Sequence, residues 1–286
     1  MKIILLSASS YIPYGPNYGD CILIDTGTEF IVFDCGCLEH AKRVEEYMAG
    51  KYTKAIVVLS HNDSDHFDGI PYLVEKGLVS QVHTHLFLKH LPEIKEILDD
   101  GRVTDNSLRE RIKDAYDKIA SLSKKVTLVD ALDEIEIVPG VEIVGPSVEY
   151  ALESIATAID SRKGNHMDSE TVFNAASIQI SVACNTRKCL FCGDASFEAI
   201  KDILSSFSII QLPHHGKAET ANKIFEKKRG LNDTIYFVSD NTGNSNGGSD
   251  KLNTRGKDVR STKHNDVHYH PSNSNTSCSR VLGSFR

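Results

Sequence analysis

The fold of this chain is decided by residues 54–66, which read K-A-I-V-V-L-S-H-N-D-S-D-H. The first seven are almost continuously apolar and too few for a helix, so they predict a buried strand. The strand leads directly into four metal-binding side chains, which are His61, Asp63, Asp65 and His66. Imidazoles and carboxylates at this density are typical of a site for a divalent ion such as zinc, manganese or iron. Since no alternating strand register holds all four on one face, we expect them to wrap around a point.

Two later segments have the same form, an apolar strand that ends in metal-binding side chains. Residues 189–194 read C-L-F-C-G-D and end on Asp194, and residues 209–216 read I-I-Q-L-P-H-H-G and carry the pair His214 and His215. An aspartate after a strand is also a common helix N-cap, and this alternative stays open for Asp194. Loops that bear ligands gather at one edge of a layered sheet structure, so we expect the three strand ends to meet there.

The composition limits the class of protein. The chain has 286 residues, 40% of them hydrophobic, with 39 acidic and 32 basic residues and a net charge of -7. This is the composition of a globular protein with a sizeable core, and it excludes a disordered or collagen-like chain. The acidic balance argues against a protein that coats nucleic acid, because such binding needs a surplus of lysine and arginine. It leaves room for a small anionic substrate that is bound locally.

The location of the protein is predicted from its N-terminus and its apolar runs. No signal-peptide cleavage site follows the first residues, and no run approaches the roughly 18 apolar residues of a membrane span. We therefore expect a cytoplasmic protein without a membrane partner, while the sequence predicts no particular protein partner or oligomeric state.

The seven cysteines are odd in number and lie mostly in apolar runs, which favours buried, reduced thiols over a disulfide framework. Cys189 and Cys192 form the pattern C-x-x-C. Residues i and i+3 of a strand face opposite sides, which argues against a zinc or redox site at this pair.

Apolar periodicity predicts two groups of strands, separated by a helical segment at about 87–124. Two such groups with helices between their strands predict two sheets that pack face to face and are covered by helices. The predicted strands are 2–8, 20–25, 29–34, 54–60, 125–129, 134–138, 141–144, 177–184, 187–192, 207–212 and 234–239, and further helices are predicted at 38–48, after Asp194 and after Lys217.

In the order H-x-D-x-D-H, G-D and P-H-H-G, the three strand-end motifs resemble those of the metallo-β-lactamase superfamily. The resemblance implies an α+β fold, an αββα four-layer sandwich with one or two divalent metal ions at the edges of its sheets. It extends from the first strand, through Gly19-Asp20 and Asp34-Cys35-Gly36, to about Thr262.

Within the superfamily, the G-D and P-H-H-G motifs and a Ser-Asn-Gly-rich loop after a late strand are similar to the soluble hydrolase domain of ComEC-type DNA-uptake proteins. We expect a single metallo-β-lactamase-like domain over residues 1–286. It would contain the helical insertion at about 87–124 and a terminal segment at 264–286.

The resemblance also implies the roles of the site residues. His61 belongs to the first metal position, Asp65 and His66 to the second, Asp194 bridges the two, and His214 or His215 is the last ligand of the second position. The predicted metal ligands are therefore His61, Asp63, Asp65, His66, Asp194 and His214. Asp65 and His215 are the predicted catalytic residues, because Asp65 would orient the attacking water and His215 would protonate the leaving group.

Two positions depart from the family pattern. Asp63 stands where the family has a second histidine, and its hard oxygen favours Mn²⁺ or Mg²⁺ more than an imidazole would. The third motif, normally a histidine, has no clear counterpart, because Asn174 stands there and His166, farther upstream, is interpreted as a loop residue. We expect one or two Zn²⁺ or Mn²⁺ ions, with either a weakly held first ion or a second ion recruited with substrate.

A metal-activated water makes hydrolysis the expected reaction class. Residues 1–200 hold 19 basic and 31 acidic residues, whereas residues 201–286 hold 13 basic and 8 acidic ones. The positive excess of the second part, which carries the histidine pair, favours a phosphodiester. We predict a phosphodiesterase or nuclease with an anionic substrate, such as nucleic acid or a nucleotide, and with Asn174, Lys217, Asn244 and Ser245 as substrate-binding residues.

Two alternative functions stay open. The same activated water attacks carbonyl groups, so the protein would instead hydrolyse a carboxylic ester, lactone, thioester or amide, including a peptide bond. The other alternative is a non-catalytic regulatory or binding module, which the missing third histidine favours and the remaining ligands oppose. Near the end of the chain, His268 and His270 alternate on a predicted strand, and we interpret both as facing solvent.

Overall fold

Two seven-stranded sheets form the centre of the protein in a computed structural model, which describes residues 1–8, 18–133, 135–160, 164–231, 233–240 and 249–271. From edge to edge, the first sheet contains β16 (Val267–Tyr269), β1 (Lys2–Leu5), β2 (Ile22–Asp25), β3 (Phe30–Phe33), β4 (Ala55–Val58), β5 (Val79–Thr84) and β6 (Thr127–Asp130). The second contains β15 (Asp258–Ser261), β14 (Ile235–Val238), β13 (Ile209–Gln211), β12 (Arg187–Phe191), β11 (Gln179–Cys184), β8 (Val141–Gly145) and β7 (Glu136–Val138). A separate ribbon pairs β9 (His166–Met167) with β10 (Glu170–Thr171).

Helices connect the strands and cover the outer faces of the sheets. They are α1 (Leu38–Met48), α2 (Ser64–Phe67), α3 (Ile70–Glu75), α4 (Leu91–Leu98), α5 (Asp105–Ala115), α6 (Asp117–Leu122), α7 (Val148–Ile159), α8 (Val172–Ala175), α9 (Phe197–Ile200) and α11 (Ala218–Lys227). The segment α10 (Pro213–Gly216) is a turn whose two histidines have left-handed backbone angles. Short 3₁₀ turns lie at Phe87–Lys89, Leu204–Ser206 and Ser249–Lys251.

The hydrophobic core lies in three layers between these elements. Alternate residues of each strand point between the sheets, where the rings of Phe33 and Phe191 pack with their centroids 6.2 Å apart. The opposite face of the first sheet packs on α1 and α3. The opposite face of the second packs on α9 and α11. This arrangement confirms the predicted αββα sandwich.

Cys189 and Cys192 face opposite sides of the second sheet, as their spacing predicts. Cys189 lies in the core between the sheets, whereas Cys192 lies on the side that faces the helices. All six cysteines in the described ranges are free thiols.

Most predicted elements are present, and further elements appear. The segment predicted as helical at 87–124 contains α4, α5 and α6, and the strand predicted around His268 is β16, in which His268 is exposed. The elements that were not predicted are strands β5, β9, β10 and β15, helix α7, the short helical segments α2, α3 and α8, and the turn α10. Helix α7 packs on α4 and α5 in a fourth apolar cluster. The extents of the domain, of the insertion and of the terminal segment stay predictions.

The direction of the strands brings the predicted ligands together. Strands β3 to β6 are parallel in the first sheet, and β12 to β15 are parallel in the second. Strands β4, β12 and β13 therefore deliver the segments after Val58, Phe191 and Gln211 to neighbouring places at the edges of the sheets. In the described ranges, no helix has the length and apolar character needed to cross a membrane.

Candidate metal centre

The loop after β4 is held by close backbone contacts. Helix α2 begins at Ser64, which places Asp65 and His66 in its first turn. The carbonyl oxygen of Asp65 accepts a hydrogen bond of 2.8 Å from the backbone N–H of Asp20. A Cβ atom at Gly36 would lie 1.8 Å from the same carbonyl oxygen, so only glycine fits there. The position of the ligand loop therefore depends on backbone contacts that allow very little displacement.

The imidazoles of the first motif are both oriented through Nδ1. His66 Nδ1 lies 2.8 Å from Asp34 Oδ2. His61 Nδ1 lies 3.0 Å from the hydroxyl of Ser60 and 3.2 Å from that of Ser177. Because the Ser60 hydroxyl donates to Asp34, it accepts a hydrogen bond from His61 Nδ1–H. In both histidines Nε2 is left as the atom that can bind a metal.

The histidine pair after β13 is oriented in the same way. Both residues have left-handed backbone conformations, with φ of 52° at His214 and 55° at His215, which are unusual outside glycine. His214 Nδ1 lies 2.8 Å from Glu170 Oε2, and His215 Nδ1 lies 3.0 Å from Asp20 Oδ1. The carboxylate partners again leave Nε2 of each ring available to the site.

Asp194 lies where three of these Nε2 atoms converge. Its Oδ1 is 3.4 Å from His66 Nε2, and its Oδ2 is 3.8 Å from His214 Nε2 and 3.9 Å from His215 Nε2. The remaining predicted carboxylate ligands lie beside the same group, since Asp63 Oδ2 is 3.6 Å from His61 Nε2 and Asp65 Oδ2 is 3.1 Å from His215 Nε2. The structure thus brings together all the residues predicted as metal ligands.

Electrostatics keep these carboxylates ionised. Burial alone would raise the pKa of Asp194, but the imidazoles of His66, His215 and His214 lower it well below its usual range. For Asp65, burial is likewise opposed by a hydrogen bond from His215 and by the charge of His66, and its pKa is lowered. These carboxylates are therefore in the ionised form, which binds a cation. Despite burial, the same pairing raises the pKa of His66, His214 and His215, so a metal ion would displace protons from these imidazoles when it binds.

The donor atoms of the cluster fit a divalent ion. Nε2 of His61, Nε2 of His66 and Oδ1 of Asp194 are buried and make no hydrogen bond to any described part of the chain. One ligand atom from each of the three can be chosen so that all lie within 4.8 Å of one another. Two ligands at about 2.1 Å from a tetrahedral ion lie about 3.4 Å apart. The distance between His66 Nε2 and Asp194 Oδ1 matches this value.

A cleft of about 470 Å³ opens onto the cluster. Asn174, at one wall, donates a hydrogen bond of 3.3 Å to Asp194 Oδ2. Lys217, at another wall, donates to Glu170 Oε1 at 2.7 Å. The other two residues predicted to bind substrate, Asn244 and Ser245, lie outside the described residues.

Several partners of the ligands were not predicted as such from the sequence. Asp34, which follows β3, orients His66. Asp20, which precedes β2, orients His215. Glu170 orients His214 from the ribbon of β9 and β10. Its only local signal is the short turn M-D-S-E, which gives a hairpin without indicating which residue faces a site.

Residues 14–149 match the family model described as the metallo-beta-lactamase superfamily. The match contains the loop with His61 and Asp65, and the architecture of two packed sheets covered by helices is that of the metallo-β-lactamase fold. The sequence match covers just under half of the chain, and the fold of the described residues is consistent with it.

The solved structures that resemble this chain belong to proteins of several kinds. The metallo-beta-lactamase fold protein YhfI from Bacillus subtilis is 11% identical, and the alignment covers 73% of this chain and 69% of that one, with a TM-score of 0.43. The short form of human tRNase Z is 13% identical over 83% of this chain and 91% of that one, with a TM-score of 0.44. MIM-1 from Novosphingobium pentaromativorans is 13% identical over 77% and 80%, with a TM-score of 0.37. No curated protein gives a significant sequence match.

Proposed function

We propose that this protein is a metal-dependent hydrolase that cleaves phosphodiesters. The observation that carries the proposal is the cluster of four oriented imidazoles and two further carboxylates around Asp194, beside a cleft. Such a donor set binds one or two divalent ions, and we propose Zn²⁺ or Mn²⁺. When bound, an ion of this kind lowers the pKa of a water molecule and draws charge from the scissile group.

The proposed ligands fall into two groups that share Asp194. His61 and Asp63 hold one position, while Asp65, His66 and His215 hold the other. In this proposal His215 takes the ligand role that the sequence assigned to His214. Its side chain is only 2% exposed, and its Nε2 lies 3.1 Å from Asp65 Oδ2.

His214 is the proposed proton donor to the leaving group, the role that the sequence assigned to His215. Its side chain is 14% exposed and lines the cleft, so a substrate reaches it more easily than it reaches His215. In hydrolysis a water oxygen forms a bond to phosphorus and the bond from phosphorus to the ester oxygen breaks. His214 Nε2–H gives its proton to that oxygen as it leaves.

The remaining residues of the cleft orient this chemistry. Asp65 accepts hydrogen bonds from the attacking water as well as binding metal. Asn174 holds Asp194 through its amide, and we propose that it also contacts substrate. Asn244 and Ser245 remain proposed contacts of the substrate.

A phosphodiester is the proposed substrate class for two reasons. The oxygen ligand Asp63 replaces a softer imidazole, which favours the hard ions that serve phosphoryl transfer. The part of the chain after residue 200 has a surplus of basic residues, with 13 basic against 8 acidic. We propose nucleic acid or a nucleotide as the source of the phosphodiester, a ComEC-type hydrolase as the subgroup, and the cytoplasm as the location.

The test is metal analysis followed by a substrate panel. Protein loaded with Mn²⁺ or Zn²⁺ should bind at least one ion per chain and cleave single-stranded DNA, RNA, a cyclic nucleotide or bis(p-nitrophenyl) phosphate. Asp65→Ala should lower the rate by at least about a hundredfold while the protein stays folded. Asp68→Ala, which removes an exposed carboxylate three residues away, is the matched control and should keep wild-type activity.

Other outcomes select the alternative functions. Cleavage of esters, lactones or amides with no cleavage of phosphodiesters would identify a carbonyl hydrolase. Less than one ion per chain after loading, with no turnover, would identify a non-catalytic module. Either result would overturn the proposal.

A further inference from the structure

Glu170 is a buried carboxylate that enters the cleft from the ribbon of β9 and β10. The two residues between these strands, Asp168 and Ser169, have φ of 52° and 69°. Positive φ at both central residues is the geometry of a two-residue hairpin whose twist matches its strands. The side chain of Glu170 is 3% exposed, whereas His166 on the same ribbon is exposed and lines the cleft. The tight turn thus places the carboxylate of Glu170 inside the site.

Both oxygens of Glu170 have a cationic or donor partner. Oε2 lies 2.8 Å from His214 Nδ1, and Oε1 lies 2.7 Å from Lys217 Nζ. Lys217 also donates to the backbone carbonyl of Ser169 at 3.1 Å. A buried carboxylate is costly unless it is paired and hydrogen-bonded, and Lys217 supplies that compensation here. The ammonium group of Lys217 is therefore engaged in fixing Glu170.

The ribbon is fastened to the rest of the site at two places. Tyr150 on α7 donates to Asp168 Oδ2 at 2.6 Å, and its hydroxyl lies 2.7 Å from Ser196 Oγ. Thr171 caps helix α8 through the backbone N–H of Asn174. Asn174 in turn contacts Asp194. The ribbon that carries Glu170 is thus connected by hydrogen bonds to α7 and, through Asn174, to Asp194 at the centre of the cluster.

His214 needs such a partner because its backbone does not belong to a regular helix. Its φ of 52° and ψ of 54° lie in the left-handed region, so no neighbouring helical turn restricts the ring. We infer that Glu170, held by Lys217, is a positioning residue that accepts a hydrogen bond from His214 Nδ1–H and so turns His214 Nε2 toward Asp194 and the cleft. This inference rests on the proposed function, in which His214 Nε2 serves the leaving group.

The first arm of the test does not depend on activity. In ¹⁵N–¹H correlation spectra of the full chain, assigned by comparison with His214→Ala, His214 Nδ1 should resonate as a protonated nitrogen. In Glu170→Gln the side-chain carbonyl should turn to Lys217 and the amide NH₂ to His214, so that Nδ1 accepts a hydrogen bond and carries no proton. Glu170→Ala, which leaves no partner at Nδ1, should also lose the protonated Nδ1 signal. An unchanged His214 signal in both variants would overturn the inference.

The second arm is a double-mutant cycle on a dinucleotide, whose alkoxide leaving group needs a proton. Glu170→Gln should lower kcat by about tenfold to a hundredfold, with KM changed by less than about threefold. In a His214→Ala background the same substitution should have no further effect, because Glu170 acts through His214. Multiplicative losses in the double variant would overturn the inference while leaving the proposed function intact.

Controls separate positioning from folding and from the proposed function. Glu153→Gln, which changes an exposed glutamate on α7, should leave both the spectrum and the kinetics unchanged. In urea, Glu170→Gln should unfold cooperatively, which shows that the variant is folded. Its metal content should equal that of the wild type. If the wild-type protein cleaves no phosphodiester, the proposed function fails, and the measurement at His214 Nδ1 still decides whether Glu170 positions His214.

Discussion

At the scale of single residues, the candidate centre consists of imidazoles whose Nδ1 atoms are all engaged. Hydroxyl groups hold His61, and carboxylates hold His66, His214 and His215. This common pattern leaves every Nε2 atom directed at the site. The histidines themselves were predictable, because each ends an apolar strand. Their partners were not, because hydrogen bonds between residues far apart in sequence leave no local pattern.

A prediction at this scale concerns His40, which is fully buried on α1. Burial lowers its pKa to about 4, an effect that the charge of Arg43 assists and those of Asp20 and Asp266 oppose. In the unfolded chain the His40 imidazole therefore binds a proton near pH 6.5, whereas in the folded protein it binds one only near pH 4. Between pH 7 and pH 5, this group should lower the free energy of unfolding by about 2 kcal/mol.

The measurement is urea unfolding of the wild type and of His40→Gln at both pH values. The variant should lose about 2 kcal/mol less than the wild type on acidification. His166→Gln, which removes an exposed histidine, is the control. Identical losses in the wild type and His40→Gln would contradict the account of this residue.

At the scale of elements, the strands that carry the site were predicted best. Strands β4, β12 and β13 are apolar runs that end abruptly in polar residues, so both their existence and their importance are visible in the sequence. Strand β5 reads V-S-Q-V-H-T, which has little apolar character, and it is a strand because it pairs with β4 and β6. Strand β15 is also polar, and it is a strand because it pairs with β14 at the edge of the second sheet. Pairing between distant segments decided these elements, and local propensity did not.

The joint of helices α5 and α6 supports the ligand loop and gives a prediction at this scale. Asn62 Nδ2 donates to the carbonyl of Ala115 at 2.7 Å, and Lys118 Nζ donates to Ser64 Oγ at 3.0 Å. Asn62→Ala should cost about 1–2 kcal/mol of stability, because the Ala115 carbonyl loses its donor. It should also weaken metal binding, because the loop between His61 and Asp63 loses an anchor.

Urea unfolding and Zn²⁺ titration of Asn62→Ala would measure both effects. Asn106→Ala, an exposed asparagine on α5, is the matched control and should behave as the wild type in both experiments. An unfolding midpoint and a Zn²⁺ affinity equal to those of the wild type would show that the helices do not support the loop.

At the scale of the whole molecule, the two sheets share one core, and the site lies where strands of both sheets end. Its ligands come from segments as far apart as His61 and His215, so the site requires both halves of the sandwich. The αββα architecture was predictable from the two groups of strands and the order of the motifs. The proposed roles within the histidine pair were not, because the two residues are adjacent in sequence and differ only in the structure, in the carboxylate that each one contacts and in exposure.

The central claim is that the cluster around Asp194 binds the ion on which hydrolysis depends. The most direct measurement is the rate of bis(p-nitrophenyl) phosphate cleavage by chelator-treated protein, before and after Mn²⁺ or Zn²⁺ is returned, in the wild type and in Asp194→Asn. We predict that activity disappears with the metal, returns with it in the wild type, and fails to return in the variant, which loses the shared ligand. Cleavage that persists after chelation, or that returns equally in Asp194→Asn, would contradict the account.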